Sequence, residues 1–241
     1  SSDLFDLSQG GLASGSCFPS CTSTMNIFRL CGDMLHLASI MLLLFKLHKS
    51  KSCIGVSCRM QEMYAIVFIC RYLDLLYSFI SLYNTVMKII FITSTVYLVY
   101  LMRVKPPVAT TYKREDDAFR YELYCIGPCL ILGALTCEEF AVTEILWTFS
   151  IWLESVALLP QLVILQTTRE VENLTSDFVA CLGLYRALYI VNWIYRYFSE
   201  DYVNYIGWVG GLVQTGLYAD FFYYYAMSKW YGQKLVLPMA T

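Results

Sequence analysis

Apolar residues run along this chain in long blocks, and the polar positions between them fall into short, regularly spaced breaks. Taking uninterrupted apolar runs of about 17–25 residues as membrane-crossing helices predicts seven spans: 26–46, 61–80, 85–102, 121–137, 144–165, 177–197 and 205–227. Composition agrees, since 58% of the 241 residues are hydrophobic and only 15% are charged, which excludes an ordinary soluble domain. Of the 17 Lys and Arg, 12 lie in 46–59, 103–120, at 169 or in the tail, and none lies near 80–84, 137–143 or 198–205. The positive-inside rule then makes the first set cytoplasmic, the N-terminus luminal or external and the C-terminus cytoplasmic. A net charge of −2 gives no electrostatic reason to expect nucleic acid as a partner.

Residues 1–24, rich in Ser and Gly with two Asp, lack the basic start and long apolar core of a signal peptide. They read as a disordered extension or an appended segment, leaving 25–241 as the membrane domain. The ten cysteines show no metal-ligand spacing, most sit inside apolar runs as small hydrophobes, and no cofactor or metal is expected.

The stretch Gly183 to Phe198 is the informative one, because it places Arg186 and Arg196 inside a span. An arginine at the bilayer centre costs about 2.5–3.5 kcal/mol even on lenient scales. At 100° per residue, Tyr185, Tyr189, Asn192 and Arg196 share one stripe, with Arg186 and Trp193 in a second beside it. The same rule groups Arg29, Asp33 and His36 on the first span, and Glu144, Trp147 and Glu154 on the fifth. Arg71 and Asp74 are neighbours on the second, and Asp220 stands alone on the seventh.

Taken singly, each of these residues reads equally well as a structural ion pair or a satisfied polar group. Taken together, four arginines with several acids and a histidine on five spans predict a polar pathway or cavity. A ladder of guanidiniums suits a ligand with several carboxylates, and acids beside it suit one cation on the same ligand. Trp147, one turn from Glu144, could hold that cation over its ring. His36 is the group whose ordinary pKa suits a pH sensor. Gly210 and Gly211 predict close helix packing, and Lys113 to Asp117 a solvated loop. Lys229 follows the aromatic run "DFFYYYAMSKWYG" as an interfacial anchor.

The segments "MNIFRLCGDMLHL" (25–37), "RYLDLLYSFISLYNT" (71–85), "EILWTFSIWLESVALLPQL" (144–162), "LYRALYIVNWIYRY" (184–197), "GLVQTGLYADFFYYY" (211–225) and "KLVLP" (234–238) closely resemble the KDEL receptor family. The resemblance covers Met25 to Pro238. It implies an all-α membrane fold like that of SWEET and PQ-loop transporters: two parallel three-helix bundles joined by a linking fourth helix, with Pro160-Gln161 as the PQ pair and no matching pair in the first bundle. It also implies a receptor that is not an enzyme. Such a receptor binds the C-terminal Lys/His-Asp-Glu-Leu signal of escaped endoplasmic reticulum proteins in the Golgi and returns them through vesicle coat proteins.

By the same resemblance Arg29, Arg71 and Arg196 contact ligand carboxylates, with Arg186 as a relay. Asp74, Glu144 and Trp147 surround the signal's cation, and Tyr189, Asn192 and Trp193 form the wall. His36, Glu154 and Tyr185 make a pH-sensing network, Asp220 a transport switch, and Lys229 and Lys234 the coat contacts. The chain departs from the family in Gln233-Lys234, where a lysine pair is usual, in Asn204, where an acid is common, and in residues 1–24. A small-molecule transporter of the PQ-loop type is the rival reading; its pocket would carry fewer charges.

Overall fold

The computed structural model describes residues 26–79, 81–168, 170–200 and 203–237, so the predicted disordered segment 1–24, with Cys17 and Cys21, lies outside the described residues, as does Pro238. The chain is almost wholly helical: α1 (Ile27–Ser50), α2 (Cys58–Arg71), α3 (Leu82–Arg103), α4 (Gly127–Thr136), α5 (Val142–Val156), α6 (Leu159–Thr168), α7 (Asn173–Glu200) and α8 (Tyr205–Tyr231). Side-chain caps start several of them. Asn26 accepts from the Arg29 amide, Ser57 from Met60, Ser81 from Asn84 and Asn204 from Gly207, each satisfying an amide the helix itself leaves open.

Four helical stretches among the described residues are long and apolar enough to cross a membrane: Ile27–Ser50, Leu82–Arg103, Val142–Thr168 and Asn173–Glu200. The other three expected spans are less uniform than the apolar runs implied. The run 61–80 is helical only to Arg71 and then tightens into a 3-10 turn, Leu73–Leu76. The run 121–137 opens with a π-helical turn, Glu122–Ile126, before α4. α8 has the length, but Gln214, Asp220 and its many tyrosines lower its hydropathy. The fifth run is continuous except at Ala157–Leu158, where α5 gives way to α6. Pro160 has no N–H to offer the carbonyl of Val156, so the α-helical ladder must lapse there.

α1 packs along α7, α2 against α3 and α5, α4 against α5, and α8 against α7 and α5. Leu43, Leu47, Met60, Val67, Leu153 and Val179 are buried in the core between them. Met41, Phe45, Ile131, Leu135, Leu212 and Val213 point outward and are exposed, the inverse of a water-soluble surface and what a lipid-facing belt requires. The chain is therefore an all-α membrane protein. Small residues let the helices close: a Cβ on Gly211 would lie 2.5 Å from the Trp193 ring of α7, and one on Gly133 of α4 would lie 2.9 Å from the backbone of Phe149 in α5. The expectation of close packing holds for Gly211, and for Gly210 against Ile151 of α5.

Two features were not foreseen. Leu235–Val236 of the tail forms strand β2, antiparallel to β1 (Glu170–Val171) in the link between α6 and α7, with Leu235 and Leu237 buried. Asp117 also departs from the expectation of a solvated loop. It is buried and accepts from the Ser57 hydroxyl (2.9 Å), the Arg59 amide (3.1 Å) and the Tyr112 phenol (3.0 Å). A carboxylate at the first turn of α2 satisfies open amides and meets the positive end of the helix. Burial, and then the adjoining Asp117, push the Tyr112 phenol up from its ordinary value, which keeps it a donor.

Candidate functional site

α1 and α7 run antiparallel, and polar groups meet across their contact at successive levels. Asn26 pairs with Asn192, Asp33 accepts from the Tyr189 phenol, His36 stacks on Tyr185 (centroids 4.3 Å apart, planes 5° apart), and Lys46 donates to Thr175. From Asn26 to Lys46 is about 30 Å at 1.5 Å per residue, the thickness of the hydrocarbon layer. A second contact, between α2 and α5–α6, has the same antiparallel register. Arg71 reaches Ser150 (3.0 Å) and Glu154 at one end, and the Ser57 amide donates to Gln161 (2.9 Å) at the other.

The residues grouped by periodicity converge between these contacts. Arg29, Asp33, His36, Arg71, Asp74, Glu144, Trp147, Glu154, Tyr185, Arg186, Tyr189, Asn192, Trp193 and Arg196 are all buried. Glu154 is the hub: one oxygen takes both Arg71 and Arg186 (3.0 Å for the latter), and the other accepts the Tyr185 phenol at 2.7 Å. Two guanidiniums on one carboxylate leave the centre with an excess of positive charge. Arg186 also donates to Gln214 of α8, and its guanidinium lies 5.8 Å from the ring centroids of both Tyr185 and Trp193.

Toward the start of α1, the Arg29 Nε has no hydrogen-bond partner among the described residues, although the side chain is buried. At the same end, one turn beyond Asn192 of α7, Arg196 pairs with Glu200 at 2.8 Å. Asp33 receives a second phenol, Tyr83, at 3.0 Å. Trp147 packs with Ile151 and Ile206, one turn from Glu144 on the same face of α5.

Several partners escaped the sequence reading. Lys88 of α3 is buried and pairs with Asp74, over the Tyr72 ring at 5.6 Å, so the acid assigned to a ligand cation already holds one. Lys88 stands four residues from buried Asn84, a polar stripe on the third span that the 100° rule would have found. Gln214 and Ser150 carried no signal beyond being polar in apolar runs. Of the expected set His36, Glu154 and Tyr185, the tyrosine stands between the other two, stacking on one and donating to the other.

Asp220 is exposed on α8, on the side away from this cluster. Lys229 is tied to Asp177 of α7 at 2.8 Å, and Lys234 directly precedes β2, beside Val171 to Leu174. Gln161 takes the Ser57 amide and donates to Gly55 O (2.8 Å), while Lys46 of α1 donates to Ile54 O (3.0 Å) and reaches Thr175 at the start of α7. The eight described cysteines are free thiols.

The model of a family described as ER lumen protein retaining receptor matches residues 52–196. An ER lumen protein-retaining receptor of Plasmodium falciparum is 62% identical over 216 residues, 89% of this chain and 98% of its own. Another from Petunia hybrida is 54% identical over 215 residues, 89% of this chain and all of its own length. The receptor erd-2.2 of Caenorhabditis elegans is 55% identical over 201 residues, covering 83% and 93%.

Proposed function

Because the chain belongs to the family of ER lumen protein-retaining receptors, we propose that it is a seven-span receptor that captures the C-terminal Lys/His-Asp-Glu-Leu signal of escaped proteins in the acidic Golgi lumen. It carries them to the endoplasmic reticulum through coat proteins that read its cytoplasmic tail. The observation that carries this reading is the set of buried arginines on α1, α2 and α7, with acids beside them. An acidic tetrapeptide offers three carboxylates and one cation, and planar guanidiniums bind carboxylates two bonds at a time. The matched registers of the α1–α7 and α2–α5 contacts support two parallel three-helix bundles, α1–α3 and α5–α8, linked by α4.

The pH response is assigned to His36, with Glu154 and Tyr185. The ligand's carboxylates have ordinary pKa values near about 4 and cannot sense the step between compartments, whereas histidine's is about 6.5. If protonated His36 is stabilised in the bound state, binding raises its pKa. Affinity is then greatest below the free-state value and falls as pH rises through the bound-state value, by at most about tenfold per unit for one proton.

Calorimetry of a Lys-Asp-Glu-Leu peptide between about pH 5.5 and 7.5 tests both parts. Binding that weakens with rising pH is expected for the native chain, and a weak, flattened profile for His36→Ala. An unchanged slope in that variant moves the sensor to Glu154, and no binding at any pH refutes the receptor reading. Orientation has its own test. Asn173-Leu174-Thr175 is a glycosylation sequon on the side assigned to the cytosol, so an endoglycosidase-sensitive glycan on Asn173 would invert the topology.

A further inference from the structure

Three of the ladder's arginines already hold a carboxylate of this chain, but the two acids involved are not equivalent. Glu154 is 1% exposed, carries Arg71, Arg186 and the Tyr185 phenol together, and cannot leave without stranding two buried charges. Among the described residues Glu200 holds only Arg196, at 2.8 Å, with its side chain 19% exposed and that of Arg196 10% exposed. Its side chain is within a rotation of water, whereas the guanidinium it releases would remain mostly buried.

Resting on the reading of Arg196 as a ligand contact, we propose that Glu200 is a resident competitor: its carboxylate occupies the Arg196 guanidinium until a carboxylate of the incoming peptide displaces it. The exchange replaces one charge-assisted contact with another. Binding at this rung therefore includes the cost of releasing Glu200 as well as the strength of the new contact. An incoming group without charge cannot make the exchange, which turns Glu200 into a specificity filter against peptides that lack an acid at the matching position. Arg29, whose buried Nε finds no partner among the described residues, has no such gate.

The test is peptide calorimetry on the full chain with Glu200→Gln, Glu200→Asp and, as a control, Glu115→Gln in the exposed 113–116 segment. The peptides are Lys-Asp-Glu-Leu and three forms of it, each with one carboxylate neutralised: Asp to Asn, Glu to Gln, or the C-terminus amidated. Glu200→Gln is expected to bind the native peptide about three- to tenfold tighter, in the range of a part-exposed ion pair. Glu200→Asp should fall between the two, and Glu115→Gln should match the native chain. The gain should disappear for the one peptide whose missing carboxylate is the partner of Arg196. Unchanged or weaker binding by Glu200→Gln, in protein that melts like the native chain, overturns the proposal, as does a gain that persists undiminished for every peptide. If the native chain binds none of the peptides, the receptor reading fails first and this inference with it.

Discussion

The α1–α7 contact and the α2–α5–α6 contact are both antiparallel but differ in chemistry. Along α1–α7 two unbroken helices meet through phenol–carboxylate, amide and imidazole–phenol contacts, and the ion pair there among the described residues, Lys46 with Glu172 at 3.0 Å, sits at the end where Glu172 is half exposed. Along α2–α5–α6 the charges are gathered at the Arg71 end, and both partners are interrupted, α2 after Arg71 and α5 at Ala157–Leu158. The difference teaches where rigidity and reactivity lie. Rungs on continuous helices that bury at most one charge each cost less in desolvation than the Arg71–Glu154–Arg186 cluster, which gathers three buried charges and stands beside the helix interruptions.

The comparison can be broken hardest at Glu154. Glu154→Ala strands two buried guanidiniums and should cost about 3–5 kcal/mol, read as a lowered melting temperature in detergent; Glu154→Gln, which still accepts, should cost less. Next comes Arg71→Ala, which should weaken peptide binding by about 2–5 kcal/mol in calorimetry. Arg71→Lys should not restore it, because an ammonium cannot serve Ser150 and Glu154 with the same fork.

The contacts made by Gln161 and Lys46 give a finer contrast. Gln161→Ala leaves the buried Ser57 amide and Gly55 carbonyl to find other partners and should lose about 1–3 kcal/mol. Lys46→Met should lose less, since the apolar stem stays packed and its acid partner is half in water. Both are measured by thermal unfolding. Smallest is Asp220→Asn, whose side chain touches neither contact. It should change peptide affinity and stability by less than about 0.5 kcal/mol, so that any defect in trafficking assays belongs to a step after binding.

Most of the site was legible because its residues share helical faces, and a period of 3.6 needs no tertiary information. His36, Tyr185 and Glu154 could each be placed on an inward stripe; that the tyrosine would stand between the other two could not, because it depends on how α1 and α5 flank α7. Lys88 was within reach of the same periodicity applied to the third span. Asp117 was not, for a loop that folds back to cap α2 sixty residues earlier leaves no periodic trace. The interruption before Pro160 follows from the residue's missing donor. The end of α2 at Arg71 has no such local cause, and the sequence there continues as apolar as before.

The polar levels of the α1–α7 contact behave like the marks of a vernier. Sliding one helix past the other by a turn, about 5.4 Å, would misalign Asn26, Asp33, His36 and Lys46 with all of their partners at once. Every intermediate displacement would leave polar groups facing lipid-like surroundings with nothing to bond. Ratchet motion is thereby closed to this pair. Whatever the receptor does between loading and release, α1 and α7 must travel as one body, and the change of shape must be taken up at the interrupted helices on the other side.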